Sequence, residues 1–106
     1  DVREIAAALP GIEESTSYGT PAFKVGARLF LRRLADPDLI VVFVGFEERD
    51  TLVAERPDSF LVTPHYRDHP MLVIRLPAVD PAELRRLIEG SWTQRAPATL
   101  RRRRSP

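Results

Sequence analysis

Six consecutive positions, Leu39 to Val44, carry no polar side chain. The run is far shorter than the roughly 18 apolar residues a membrane span needs. Its β-branched content suits a strand, and a strand that is apolar at every position belongs at the centre of a sheet. With 106 residues the chain builds a single core, so the rest of the sequence must supply that strand's neighbours and its cover.

The flanking segments meet that demand. Val2, Ile5, Ala6 and Leu9 form one apolar stripe of a helix over residues 1–9, which Pro10-Gly11 ends. Glu13 to Ser17 is polar and reads as a connection. Ala22 to Val25 and Arg28 to Leu34 read as a hairpin around Gly26-Ala27, a Gly-X pair that suits a type II′ turn. Simple alternation puts Phe23, Val25, Arg28, Phe30 and Arg32 on one face, and Lys24, Leu29, Leu31 and Arg33 on the other. The two aromatic residues mark the first face as core. Glu47 to Arg56 reads as a short helix stopped by Pro57, Phe60 to Val62 as a short strand, Thr63 to Pro70 as a polar loop, and Met71 to Leu76 as a strand.

The last helix has the clearest signature. Asp80 is its N-cap, Pro81 its first residue, and Glu83 completes a capping-box arrangement. Leu84, Leu87, Ile88 and Trp92 supply its buried stripe, and Pro97 ends it. The expected fold is therefore α+β: an antiparallel sheet of about five strands with the helices packed on one face. Residues 1–97 form the domain, and 98–106 a disordered basic tail.

Charge is unevenly placed. The chain has 16 basic and 15 acidic residues; without Arg101 to Arg104 the balance is 12 to 15, a net of −3. Fifteen of the 16 basic residues are Arg, a bias that coding composition explains more simply than selection for guanidinium chemistry. The chain has no cysteine, which excludes disulfides, thiolate metal sites and a cysteine nucleophile, and suits a reducing cytoplasm.

Catalytic signatures are missing. Ser15, Ser17, Thr20 and Thr63 have no local activating motif, and the five scattered glycines form neither a P-loop nor a dinucleotide fingerprint. His65, Asp68 and His69 would converge on a metal only on a helix, and Pro64 and Pro70 bracket them in a loop. The acidic pairs are too few for a calcium cage. The expectation is a binding protein without a cofactor or a metal, not an enzyme.

Two stretches are more distinctive. Ser17-Tyr18-Gly19-Thr20-Pro21-Ala22-Phe23 combines a tight turn with a strand start, and Thr63-Pro64-His65-Tyr66 turns the chain after a strand. Together with Leu9-Pro10-Gly11-Ile12-Glu13-Glu14, Glu48-Arg49-Asp50-Thr51-Leu52, Phe60-Leu61-Val62, Val79-Asp80-Pro81-Ala82-Glu83-Leu84 and Trp92, they resemble the MmcQ/YjbR family over about residues 5–97. The resemblance implies a CyaY-like, frataxin-like fold and a double-wing surface that earns such proteins a DNA-binding label. It implies no catalytic residues. The iron-binding acidic helix of true frataxins is not matched, since residues 1–9 offer only Asp1 and Glu4.

The leading expectation is a monomeric cytoplasmic module that binds DNA weakly and non-specifically. Lys24, Arg28, Arg32, Arg33, Arg67 and Arg101, Arg102, Arg103 and Arg104 would meet phosphates, and Tyr18, His65 and Tyr66 bases. A protein-interaction adaptor is the second reading. A small-molecule or metal-binding protein using Tyr18, Thr20, His65 and Tyr66 is the third.

Overall fold

The computed structural model describes residues 1–17 and 19–104. Its elements are α1 (Val2–Ala7), β1 (Ile12–Ser17), β2 (Thr20–Val25), β3 (Arg28–Arg33), β4 (Leu39–Phe43), α2 (Phe46–Glu55), β5 (Phe60–Leu61), β6 (Met71–Arg75), α3 (Pro81–Arg95) and α4 (Ala98–Arg104). Six strands make one antiparallel sheet in the order β1-β2-β3-β4-β6-β5. The α+β class is as expected, with one strand more.

The additional strand is β1, the segment read as a connection. It pairs with β2 along its whole length, from Ile12 opposite Val25 to Ser17 opposite Thr20. Glu13, Glu14, Ser15 and Thr16 show no apolar alternation because β1 is an edge, where charged side chains discourage pairing with another chain.

The apolar run is central, as its composition demands. β4 lies between β3 and β6 and is apolar on both faces. Ile40 and Val42, with Leu72 and Ile74 of β6, face the main core under the helices, where Trp92, Leu87 and Ile88 of α3 and Val2, Ile5 and Ala6 of α1 are buried. Val41 and Val73 face a smaller core on the other side, closed by Tyr66 and Met71.

The β2–β3 hairpin departs from simple alternation. Phe23 pairs with Leu31 but Lys24 pairs with Leu29, so Phe30 is the extra residue of a bulge. The bulge sends both Phe30 and Leu31 into the main core, where alternation had set Leu31 against Phe23. It also leaves Arg32, paired with Ala22 and Val41, on the smaller-core face, away from Phe23. The turn is type I′ rather than II′, since Gly26 and Ala27 both have positive φ, 56° and 68°.

α3 holds the sheet through polar contacts as well as its stripe. Beyond Leu31 opposite Val42, β3 and β4 stop pairing directly. Buried Ser91 fills the gap: its Oγ accepts from the Phe43 N–H at 2.9 Å and donates to the Phe30 carbonyl. Trp92 Nε1 donates to the Pro10 carbonyl at 3.0 Å, and Asp80 caps the helix by accepting from the Glu83 N–H.

Of the tail expected to be disordered, Ala98–Arg104 is helical, and residues 105 and 106 lie outside the described residues. Leu100 of α4 packs on the main core. The helix docks on two glycines that lack a side chain to obstruct it. A Cβ on Gly11 would lie 2.6 Å from Leu100 Cδ1, and one on Gly26 2.6 Å from Pro97 Cγ.

Candidate nucleic-acid interface

The basic residues singled out above do not form one surface. The hairpin's strand alternation, the bulge and the docking of α4 distribute them over three places.

The first is the smaller-core face and its loop. Arg32 donates from Nη1 to the Tyr66 hydroxyl at 2.7 Å, so this guanidinium is engaged within the protein. Tyr66 is buried, ending a 3-10 turn over Pro64–Tyr66, and His65 stacks edge-on against its ring with centroids 4.7 Å apart. A buried, hydrogen-bonded tyrosine closes a core and offers no ring to a base. His65 and Arg67 are exposed, and Lys24 is half-buried opposite Glu13.

The loop's shape comes from Arg49 of α2, a residue sequence reasoning missed. It is 6% exposed and its Nη1 reaches the carbonyls of Tyr66, Arg67 and His69 at 3.4, 3.1 and 2.7 Å. Nε bonds Asp50, and the guanidinium carbon lies 4.9 Å from the Phe46 ring centroid. The signal was present: Arg49 precedes Leu52 and Val53 by three and four residues, which puts it on the helix's inward stripe. The loop does not gather His65, Asp68 and His69 around an ion. Among the described residues no group of three such side chains is placed to hold a metal.

The second place is the far end of β3. Arg33 donates to the Pro37 carbonyl at 2.9 Å and lines a cavity of about 720 Å³ beside α1 and the first turn of α3. Arg28, at the other end of β3, does not line that cavity.

The third place is the hairpin tip, where Gly26 meets Pro97 and Arg28 lies near Arg95 of α3. Arg95, also missed from the sequence, lies in the last turn of α3. Its Nε donates to the Leu29 carbonyl at 2.9 Å and its guanidinium carbon lies 4.2 Å from the Phe43 ring centroid. The face it shares with Trp92, three residues earlier, was its only signal. Burial, and then the nearby charge of Arg28, pull the Arg95 guanidinium below its ordinary value. Pro97 presses on Gly26, and Arg101 Nη1 donates to the Ala96 carbonyl at 2.7 Å. Arg101, Arg102 and Arg103 thus stand on a helix fastened to the tip that carries Arg28. Tyr18 and the Arg104 side chain lie outside the described residues.

Of the arginines elsewhere, four pair with carboxylates, while Arg67, Arg75 and Arg85 are exposed and, among the described residues, enter no ion pair. Arg3, Arg49, Arg56 and Arg86 pair with Glu14, Asp50, Glu83 and Glu48. Among the described residues Arg28, Arg102 and Arg103 enter no ion pair, and all three are exposed. Like charges gathered without carboxylate partners repel one another, and an incoming anion relieves that repulsion.

A family model described as YjbR matches residues 7–94. The chain belongs to the YjbR family. It is 33% identical over 64 residues to the uncharacterized protein Rv2570 of Mycobacterium tuberculosis and, equally, to the uncharacterized protein Mb2600 of Mycobacterium bovis. The aligned part is 59% of this chain and 50% of each relative, so the chain spans about half the length of the curated relatives it matches. Its fold is similar to the crystal structure of Deinococcus radiodurans protein DR2400, titled with the family-model domain DUF419, at a TM-score of 0.78 and 25% identity, covering 97% of this chain and 84% of that one. Among the described residues no helix is long and apolar enough to cross a membrane.

Proposed function

We propose that this chain is a small DNA-binding module that grips backbone phosphates with Arg28, Arg102 and Arg103 of the arginine end, where Arg95 and Arg101 bond protein carbonyls. It acts as a monomer in the cytoplasm and performs no chemistry of its own. In this reading the β2–β3 hairpin is the wing of a CyaY-like, double-wing layout. One observation carries it: α4 docks on Gly11 and Gly26, so exposed arginines from two parts of the chain share one end, and among the described residues Arg28, Arg102 and Arg103 enter no ion pair there.

The other cations named from the sequence contribute less. Arg32 serves Tyr66, and Arg33 serves Pro37 at a separate surface. Binding through phosphates alone is sequence-independent and salt-sensitive, with dissociation constants of roughly 10⁻⁴ to 10⁻⁶ M. Three neutralised phosphates would weaken binding by tens of fold between about 50 and 200 mM salt. A gel-shift titration of the full chain at those two ionic strengths tests this. Affinity that does not respond to salt, or that survives Arg28→Ala combined with Arg102→Ala and Arg103→Ala, refutes the phosphate grip.

A further inference from the structure

The cations of the arginine end stand on two separate rigid supports. Arg28 begins β3 directly after a type I′ turn, and Arg102 and Arg103 are on α4, anchored by the contacts of Pro97 with Gly26 and Leu100 with Gly11. The end therefore carries its cations on two backbone elements that are docked on either side of the seam between hairpin and helix.

Single-stranded nucleic acid is held by a cationic groove along its backbone together with stacking of its bases on exposed aromatic rings. The arginine end has no such ring among its described residues. The Phe43 ring is half-buried and has Arg95 stacked on it at 4.2 Å, and Trp92 and Phe30 are buried. The one exposed large hydrophobic residue described, Phe46, lies at the start of α2 beside Arg49. His65 and Tyr66 sit on the loop over Arg32, four residues along β3 from Arg28 and so roughly 13 Å from the tip. Duplex DNA, by contrast, offers its binder a dense phosphate array, about one charge per 1.7 Å of axis, and keeps its bases stacked within.

We infer that the arginine end selects duplex DNA over single-stranded DNA. This rests on the phosphate-binding reading and adds the form of the ligand. The selectivity arises because two fixed supports meet phosphates held at set spacing. A flexible strand must first be ordered, and finds no ring to compensate for that ordering.

The test is a fluorescence-anisotropy titration of the full chain against a labelled duplex of about 20 base pairs, one of its strands alone, and heparin, at about 50 and 200 mM salt. The duplex should bind at least several-fold tighter than the strand. Its salt slope should lose roughly two units when Arg102→Ala and Arg103→Ala are combined. The Arg75→Ala variant, altered at the end of β6 instead, should keep the parent's affinity. Equal or tighter binding of the single strand overturns the duplex preference while leaving the phosphate grip standing. Failure to bind duplex, strand and heparin alike removes both. Heparin binding without DNA binding removes the DNA reading and this inference with it. Both arginines are exposed, and circular dichroism of the double variant should match the parent, so that lost affinity is not mistaken for lost fold.

Discussion

Arg49 and the arginines of α4 carry the same chemical group and do opposite things with it. Arg49 is buried, and its donors are used inside the molecule on Asp50 and on the carbonyls of Tyr66, Arg67 and His69. Arg102 and Arg103 are exposed and enter no ion pair among the described residues. A planar group with five donors can brace a loop or wait for an external anion, and surroundings decide which. In a chain whose basic residues are nearly all Arg, counting them says little. Where their donors go says more.

Substitutions that separate the two regions should show the difference in decreasing order. Arg49→Ala should cost the most, about 3 kcal/mol, because it strands buried carbonyls and opens a void under the loop. Urea denaturation measures it, and a loss under 1 kcal/mol would mean that water replaces the clamp. Gly26→Ala should come next, at roughly 2 kcal/mol. It forces a side chain into a left-handed residue and against Pro97, so α4 should loosen and DNA affinity fall with it. Stability lost without any loss of affinity would uncouple the docking from binding. Tyr66→Phe removes the hydroxyl that accepts from Arg32 and should cost about 1 kcal/mol in the same assay, with DNA affinity unchanged. Arg102→Ala should be within about 0.5 kcal/mol of the parent in stability, since it gives up only exposed surface, and should act on binding alone.

The sequence was most legible where local chemistry and burial agree. The capping of α3 by Asp80, Pro81 and Glu83 and the all-apolar β4 could be read directly. β1 was hidden because an edge strand satisfies its ladder on one side and has little reason to alternate. The hairpin's core face was legible in Phe23, Val25 and Phe30, but the extra residue of the bulge reverses the alternation after it and so hid the places of Leu31 and Arg32. α4 was hidden because four arginines in a row read as a solvated tail, while its anchors are Pro97 and Leu100 and two glycines far back in the chain. The site followed the same pattern. Arg28 and the α4 arginines could be named singly, but their meeting at one end, with Arg95 between them, is a tertiary fact.

Ser91 has a consequence for this arrangement. One hydroxyl engages the backbones of both β3 and β4, so it works as an index pin between helix and sheet. Were α3 to slip by a turn, it would break both bonds at once and leave Phe43 N–H and the Phe30 carbonyl unpaired. The backbone positions of Arg95 and Arg28 are therefore set against each other by strand register.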